Sequence, residues 1–100
     1  MIINAGIVRL IQEQLNKLLG LSLSVDGDPG KNTMAAIASI ELIPNEWNDK
    51  RQLIGAIQWI CHKNNINAGT IDGYWGPQTE YGYDQMKMKA QTGHPPGPWR

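Results

Sequence analysis

The stretch VDGDPGKNT, Val25–Thr33, recurs 46 residues further on as IDGYWGPQT, Ile71–Thr79. Both follow the pattern apolar–Asp–Gly–x–x–Gly–x–x–Thr. An aspartate side chain accepts hydrogen bonds from backbone N–H groups two residues on, and the first glycine permits a positive φ. The second glycine stands where a helix N-cap is expected, and the threonine is expected to satisfy an unpaired donor of the first helical turn. We therefore assign a structural turn role to Asp26, Gly27, Gly30, Thr33, Gly73, Gly76 and Thr79.

The correspondence between the two stretches continues into the flanking sequence without a gap. Outside the turns, the identical pairs at the same offset are Ile11 with Ile57, Gln12 with Gln58, and Lys17 with Lys63. Conservative apolar pairs add to these, among them Ile7 with Leu53 and Val8 with Ile54. Similarity that clusters at the glycines and on the apolar face is typical of an internal repeat.

The first copy is predicted to form a helix, a turn and a second helix. Apolar residues recur at three- and four-residue spacing from Ile7 to Leu19, and Gly20 supplies a stop signal. The second helix is expected to follow Gly30 and to continue until Pro44 ends it.

The second copy is predicted to repeat this arrangement. Its first helix is expected to begin near Asp49 or Lys50 and to carry one apolar face, made of Leu53, Ile54, Ile57, Ile60 and Cys61. Pro77 is expected at the first position of its second helix, where a missing N–H costs nothing. The inward residues of that helix are predicted to be Tyr83, Met86 and Ala90.

A two-helix unit of this size cannot bury enough surface to fold alone. We therefore expect one all-α domain over residues 1–90, a small helical bundle of two tandem helix–turn–helix repeats at about 5–42 and 50–88. The Pro- and Gly-rich residues 91–100 are expected to form a tail or a linker to a catalytic domain.

Composition excludes several classes of function. Nine basic and nine acidic residues leave no net charge, which argues against a nucleic-acid partner. No run approaches the roughly 18 apolar residues of a membrane span. No signal peptide is visible at the N-terminus, so we expect synthesis in the cytoplasm. A single cysteine, Cys61, excludes an internal disulfide.

Residues 8–37, VRLIQEQLNKLLGLSLSVDGDPGKNTMAAI, and residues 56–83, AIQWICHKNNINAGTIDGYWGPQTEYGY, resemble the peptidoglycan-binding repeat of cell-wall hydrolases. The family pattern is a helix of V-x-x-L-Q-x-x-L type, an apolar–Asp–Gly turn, and G-P-x-T opening the next helix. The second stretch keeps G-P-x-T intact as residues 76–79, whereas the first has Pro29 before Gly30 instead of after it. The resemblance covers roughly residues 5–88. It implies binding to glycan or stem peptide of the bacterial wall, as a targeting module of a phage lysin or bacterial autolysin.

The second turn differs from the first in its aromatic residues. Tyr74 and Trp75 stand where the first copy has Asp28 and Pro29. Aromatic rings pack on the C–H faces of sugars, and asparagines suit amides and hydroxyls. We predict the ligand-binding residues to be Asn64, Asn65, Asp72, Tyr74, Trp75 and Tyr81. The alternative for each aromatic is a core role in a chain without Phe, although Tyr74 and Tyr81 are expected at the surface.

Searches of the sequence for catalytic and metal sites give negative results. A calcium loop starting at Asp26 requires Gly at its sixth position and Glu at its twelfth, which are Lys31 and Ile37. Cys61 and His62 lack zinc-ligand spacing, and no HExxH or nucleophile-elbow motif occurs. We expect no cofactor and no enzymatic activity in these residues.

Three functional interpretations stay open at this point. The leading one is a non-catalytic peptidoglycan-binding module of a phage or bacterial lysin, which acts at the wall after release from the cytoplasm. The second is a protein-interaction domain that reuses the fold for a phage or host partner and stays cytoplasmic. The third is a structural part of a larger particle, with exposed aromatic residues meeting a neighbour.

Overall fold

The computed structural model describes residues 3–92, with side chains through Lys89. Within these residues it contains four helices and no strand: α1 Ala5–Leu19, α2 Lys31–Ala38, α3 Asp49–Lys63 and α4 Pro77–Thr92. The predicted all-α class is confirmed. α4 includes Gln91 and Thr92, which we had predicted to belong to the tail, and the rest of that tail lies outside the described residues.

Several helix ends follow the signals in the sequence. The Asn4 side chain accepts a hydrogen bond from the backbone N–H of Ile7 at 2.9 Å and so caps the start of α1. Gly20 adopts the left-handed conformation, with φ of 66°, and ends α1 as predicted. α3 begins at Asp49, one of the two predicted starts, Asp49 or Lys50, and α4 begins at Pro77 as predicted.

α2 ends six residues earlier than the predicted stop at Pro44, since its last residue is Ala38. Beyond it, the backbone N–H of Ile40 bonds to the carbonyl of Ile37, and that of Ile43 to the carbonyl of Ile40, both at 3.0 Å. These three isoleucines recur every third residue and are all buried. Tight turns with i→i+3 bonds match that spacing better than an α-helix does, so the prediction was wrong here.

α3 is the central helix, because it packs against α1, α2 and α4. Every residue from Gln52 to Cys61 is buried, although we had predicted one apolar face. A helix with neighbours on several sides is buried all round, and its sequence shows no clear amphipathic period. The single-face prediction was too narrow for this reason.

α4 closes the structure on one side of α3. Met86 is fully buried, as predicted, and Tyr83 is half-buried, while the Ala90 side chain lies outside the described part of the chain. None of the helices in residues 3–92 is long and apolar enough to cross a membrane. The radius of gyration, 12.6 Å, is that of one compact unit of this length.

Candidate functional site

A buried glutamine from α1 holds the first turn together. The Oε1 atom of Gln12 accepts hydrogen bonds from the backbone N–H groups of Asp26 and Gly27, at 3.1 and 3.0 Å. Its Nε2 atom donates to Asp26 Oδ1 at 3.1 Å, to the carbonyl of Asp28 at 2.9 Å and to Thr33 Oγ1 at 3.1 Å. The Gln12 side chain is 1% exposed; its bond to Thr33 is buried, and its four bonds to Asp26, Gly27 and Asp28 are partly buried.

Gln58 in α3 makes the same set of bonds in the second turn. Its Oε1 atom accepts from the N–H groups of Asp72 and Gly73 at 3.1 and 2.9 Å. Its Nε2 atom donates to Asp72 Oδ1, to the carbonyl of Tyr74 and to Thr79 Oγ1, at 3.1, 3.1 and 3.0 Å. Sequence reasoning matched the two glutamines but missed this role. The signal was a glutamine at the same place on two otherwise apolar faces.

The predicted roles of the aspartates and of the first glycines are confirmed. Asp26 Oδ1 accepts from the backbone N–H of Asp28 at 2.9 Å, and Asp72 Oδ1 accepts from that of Tyr74 at 3.0 Å. Gly27 and Gly73 have φ values of 78° and 76°, a region that other residues rarely adopt.

The predicted role of the threonines was wrong. The hydroxyls of Thr33 and Thr79 are buried and accept from the glutamines, and α2 has no side-chain cap at all. Both threonines belong to the first turn of their helix and face the preceding helix, which takes their side chains away from the helix end. Gly30 and Gly76 do precede α2 and α4 as expected.

The turn lowers the pKa of the Asp72 carboxyl below its ordinary value of 3.8. The hydrogen bond from the Tyr74 backbone N–H is the main cause, while the bond from Gln58 and the positive charge of Arg51 act in the same direction against partial burial. All three contacts favour the charged carboxylate, so the folded state holds it better than the unfolded state does.

Acidification is therefore expected to remove a stabilising contribution of Asp72. Because the folded pKa is the lower one, the contribution is present above the unfolded value of about 4 and is lost as the pH falls through the folded value. Asp72→Asn keeps an acceptor oxygen without the charge. In urea unfolding, the stability difference between wild type and this variant should shrink from about pH 6 to about pH 2. A pH-independent difference would contradict the expectation.

Trp47, Arg51 and Tyr74 meet at an open groove of about 530 Å³ beside the second turn. The guanidinium carbon of Arg51 lies 4.1 Å from the ring centroid of Trp47 and 4.3 Å from that of Tyr74. Its Nε atom donates to the carbonyl of Asp72 at 3.0 Å. The groove is also lined by Glu46, Asn48, Lys50, Ile54, Gly73 and Trp75.

Two glycines make room for the Trp47 ring. A Cβ atom built on Gly55 would lie 3.0 Å from Trp47 Cζ3, and one on Gly73 would lie 2.9 Å from the same atom. The positions 46 residues before Arg51 and Tyr74 hold Ala5 and Asp28, which supply neither a guanidinium nor a ring. The groove therefore belongs to the second half of the chain.

Trp75 forms one wall of the groove and is anchored to α4. Its Nε1 atom donates to Glu80 Oε1 at 3.1 Å, and its ring meets that of Tyr83 edge-on, with centroids 5.6 Å apart. Such an edge-to-face pair restricts both rings. Trp75 is half-buried: it packs against the hydrophobic core and also lines the groove.

Of the six predicted ligand-binding residues, the structure brings Tyr74 and Trp75 together in the groove. Tyr74 and Tyr81 are 61% and 49% exposed, which confirms their predicted surface position. Tyr81 does not line the groove, and Asp72 is linked to it only through its carbonyl, which accepts from Arg51 Nε.

Asn64 and Asn65 lie at the end of α3 and do not line the groove. The Asn64 side chain donates to the carbonyl of Ile60 at 2.8 Å and accepts from Lys89 Nζ at 2.8 Å, so it ties α3 to α4. Asn65 has a positive φ of 61°, a conformation that asparagine tolerates better than most residues do. Both asparagines therefore shape the helix end.

Trp47 and Arg51 were missed in the sequence because they lie more than 20 residues before the turn that they contact. The available signal was a comparison of positions 46 residues apart. Ala5 lies against Gly27, and Arg51, 46 residues after it, lies against Gly73. A small residue beside the first turn and a large polar one beside the second mark a place where the surroundings of the two turns differ in chemistry.

No group of three or more His, Cys, Asp or Glu side chains that could hold a metal ion occurs in the part of the chain that the structure describes. Burial raises the pKa of the Cys61 thiol to about 12, so the reactive thiolate is scarce near neutral pH.

Comparison with known protein families, characterised proteins and solved structures gives no match for this chain.

Proposed function

We propose that this protein is a non-catalytic module of the phage or bacterial lysin type, which binds the peptidoglycan of the bacterial wall through the groove of Trp47, Arg51 and Tyr74. The observation that carries the proposal is this aromatic groove directly beside a turn whose pattern resembles that of wall-binding repeats. Its volume of about 530 Å³ suits a small ligand, for which sites of roughly 300–1,000 Å³ are typical.

Two tandem helix–turn–helix repeats are part of the proposal. Besides the glutamines, Asn16 and His62 support it, because they stand 46 residues apart and bond equivalent atoms. Asn16 Nδ2 donates to the carbonyl of Leu23 at 3.0 Å, and His62 Nε2 bonds to the carbonyl of Gly69 at 2.6 Å. A different residue type that keeps the same contact is typical of diverged copies of one unit.

The chemistry of the groove suits wall fragments. Tyr and Trp rings pack on apolar sugar faces, and they dominate binding hot spots. The Asn48 amide nitrogen offers a donor for acetamido groups and hydroxyls, while its oxygen accepts from the Arg51 backbone N–H; Lys50 and Arg51 offer positive charge for the peptide part. The proposed ligand therefore carries both a hydrocarbon or sugar face and polar groups.

A pull-down of the full chain with insoluble sacculi tests the function, with and without soluble muropeptides. We propose that the protein acts at the wall after its release from the cytoplasm. In the pull-down, the sacculi should retain the protein, and excess muropeptides should abolish the retention. A protein that stays wholly in the supernatant at all concentrations would overturn the proposal.

Replacing Trp47 or Tyr74 with alanine should weaken binding to sacculi by about tenfold, because a well-packed interface aromatic contributes about 1–2 kcal/mol. Tyr81→Ala is the matched control, since Tyr81 is also an exposed tyrosine but lies outside the groove. Binding isotherms of the folded variants measure the effect. Equal losses for Tyr74→Ala and Tyr81→Ala would show that the groove is not the site.

One observation favours the second candidate, a protein partner. Tyr81 and Met88 are both 49% exposed on α4, and their seven-residue spacing places them on the same side of the helix. A partner that docks there should co-purify from a lysate with the wild type and be lost with Tyr81→Ala. Such capture, together with no retention by sacculi, would replace the wall-binding proposal.

A further inference from the structure

We propose that Arg51 recognises a carboxylate, and that the groove therefore selects the stem peptide of the wall, with its free carboxylates, over the neutral glycan. This inference rests on the proposed wall-binding function and names the part of the ligand that the groove reads. It follows from the way in which the structure holds the Arg51 side chain.

The guanidinium of Arg51 has donors to spare. An arginine side chain carries five N–H groups, and here the Nε group is committed to the carbonyl of Asp72. Within residues 3–92, the Arg51 side chain makes no other hydrogen bond. It also forms no ion pair there, because the single ion pair of these residues joins Lys87 to Asp84. The four N–H groups of the two Nη atoms are thus available to a ligand.

The two aromatic rings hold this guanidinium in place. It lies over Trp47 and over Tyr74, with distances of 4.1 and 4.3 Å from its carbon to the ring centroids. These contacts, together with the Nε bond, restrict the side chain before any ligand arrives. A fixed planar fork matches the two oxygens of a carboxylate, and little side-chain freedom is left to lose on binding.

Asp72 attracts Arg51 by its charge, but its carboxylate makes no hydrogen bond to the guanidinium. Asp72 Oδ1 accepts from the Tyr74 backbone N–H and from Gln58, so Arg51 bonds to the carbonyl of Asp72 and not to its carboxylate. The groove lining holds two cationic side chains, Lys50 and Arg51, and one carboxylate, Glu46. This excess of positive charge favours an anionic ligand over a neutral one.

The test uses one soluble disaccharide–tetrapeptide muropeptide in two forms, with free carboxylates and with all carboxylates converted to carboxamides. Tryptophan fluorescence or calorimetry measures the affinity of the full chain for each. The wild type should bind the amidated form about tenfold more weakly, the usual effect of losing one charge-assisted hydrogen-bonded contact. Arg51→Gln should weaken binding of the carboxylate form by a similar factor and bind both forms alike, because the two changes remove the same contact.

Arg9→Gln is the matched control. Arg9 lies against Gly27, the glycine of the first turn, much as Arg51 lies against Gly73, but it does not line the groove. This variant should keep the full preference for the carboxylate form. If Arg51→Gln fails to fold, Arg51→Lys takes its place. Lysine keeps the charge without the planar fork, so this variant should show an intermediate preference for the carboxylate form.

The outcomes separate this inference from the proposed function. Retention by sacculi with equal affinity of the wild type for both muropeptide forms would overturn carboxylate recognition and leave wall binding in place. An Arg51-dependent preference for the carboxylate form without retention by sacculi would support the carboxylate site and overturn the wall function. Absence of both retention and muropeptide binding would overturn both.

Discussion

Replacing Gln58 with leucine is expected to lower the free energy of unfolding by about 2–4 kcal/mol, or Tm by roughly 10–25 °C. Leucine keeps most of the buried volume, so the change tests hydrogen bonds more than packing. The variant leaves the backbone N–H groups of Asp72 and Gly73 without their acceptor and removes the donor to Thr79. Circular dichroism during thermal and urea unfolding measures the loss.

Gln14→Leu is the control for this prediction. Gln14 is also buried, but among the residues that the structure describes its side chain accepts one long bond, from Asn64 at 3.4 Å, so a loss below about 1 kcal/mol is expected. Gln12→Leu should match Gln58→Leu because its bonds are equivalent. If Gln14→Leu lowers the free energy of unfolding as much as Gln12→Leu or Gln58→Leu does, the hydrogen bonds of Gln12 and Gln58 do not stabilise the turns.

Gln58→Glu separates donation from acceptance at the same position. The introduced carboxylate would face Asp72 Oδ1 and the carbonyl of Tyr74, which now accept from Gln58. Repulsion and burial should raise its pKa in the folded state, so the variant should be least stable near neutral pH and recover as the pH falls. A variant as stable as wild type at neutral pH would contradict this assignment of the amide.

The parts of the fold that local chemistry decides could be predicted from the sequence. A glycine in the left-handed conformation ends α1, and Pro77 begins α4, because each residue acts on its own backbone. The end of α2 and the burial of α3 could not be predicted in this way. Ile40 and Ile43 leave the helical path and reach a core that other helices complete, and α3 is covered by α1, α2 and α4.

In the candidate site, too, the roles set by neighbouring residues could be predicted, and those set by distant residues could not. The aspartates and first glycines of the turns were predicted, since the predicted bond of each aspartate joins a backbone N–H two positions on and the positive φ of each glycine belongs to its own backbone. The threonine role was wrong because the partner of Thr79 is Gln58, 21 residues earlier. Arg51 reaches Tyr74, and Trp47 reaches Gly73, only after α3 has packed beside the turn, so no local pattern marks these two residues as part of the site.

Gly73→Ala is expected to destabilise the protein by about 2–5 kcal/mol, through backbone strain and overpacking together. The backbone φ of 76° disfavours any residue with a Cβ atom. An added Cβ would also collide with Arg51 Cγ and lie 2.9 Å from both the Arg51 carbonyl oxygen and Trp47 Cζ3. The carbonyl belongs to α3 and cannot rotate away, so the turn itself must shift.

Two control glycines separate strain from collision. Gly20 has a φ of 66° with no atom within 4 Å of an added Cβ, so Gly20→Ala should show the strain alone, about 1–2 kcal/mol. Gly76 has open space and no positive φ, so Gly76→Ala should change stability by less than about 1 kcal/mol. Gly73→Ala should exceed both and, where still folded, change the fluorescence of Trp47 and weaken muropeptide binding. A loss equal to that of Gly20→Ala, with unchanged binding, would show that the groove does not depend on close contact between the turn and α3.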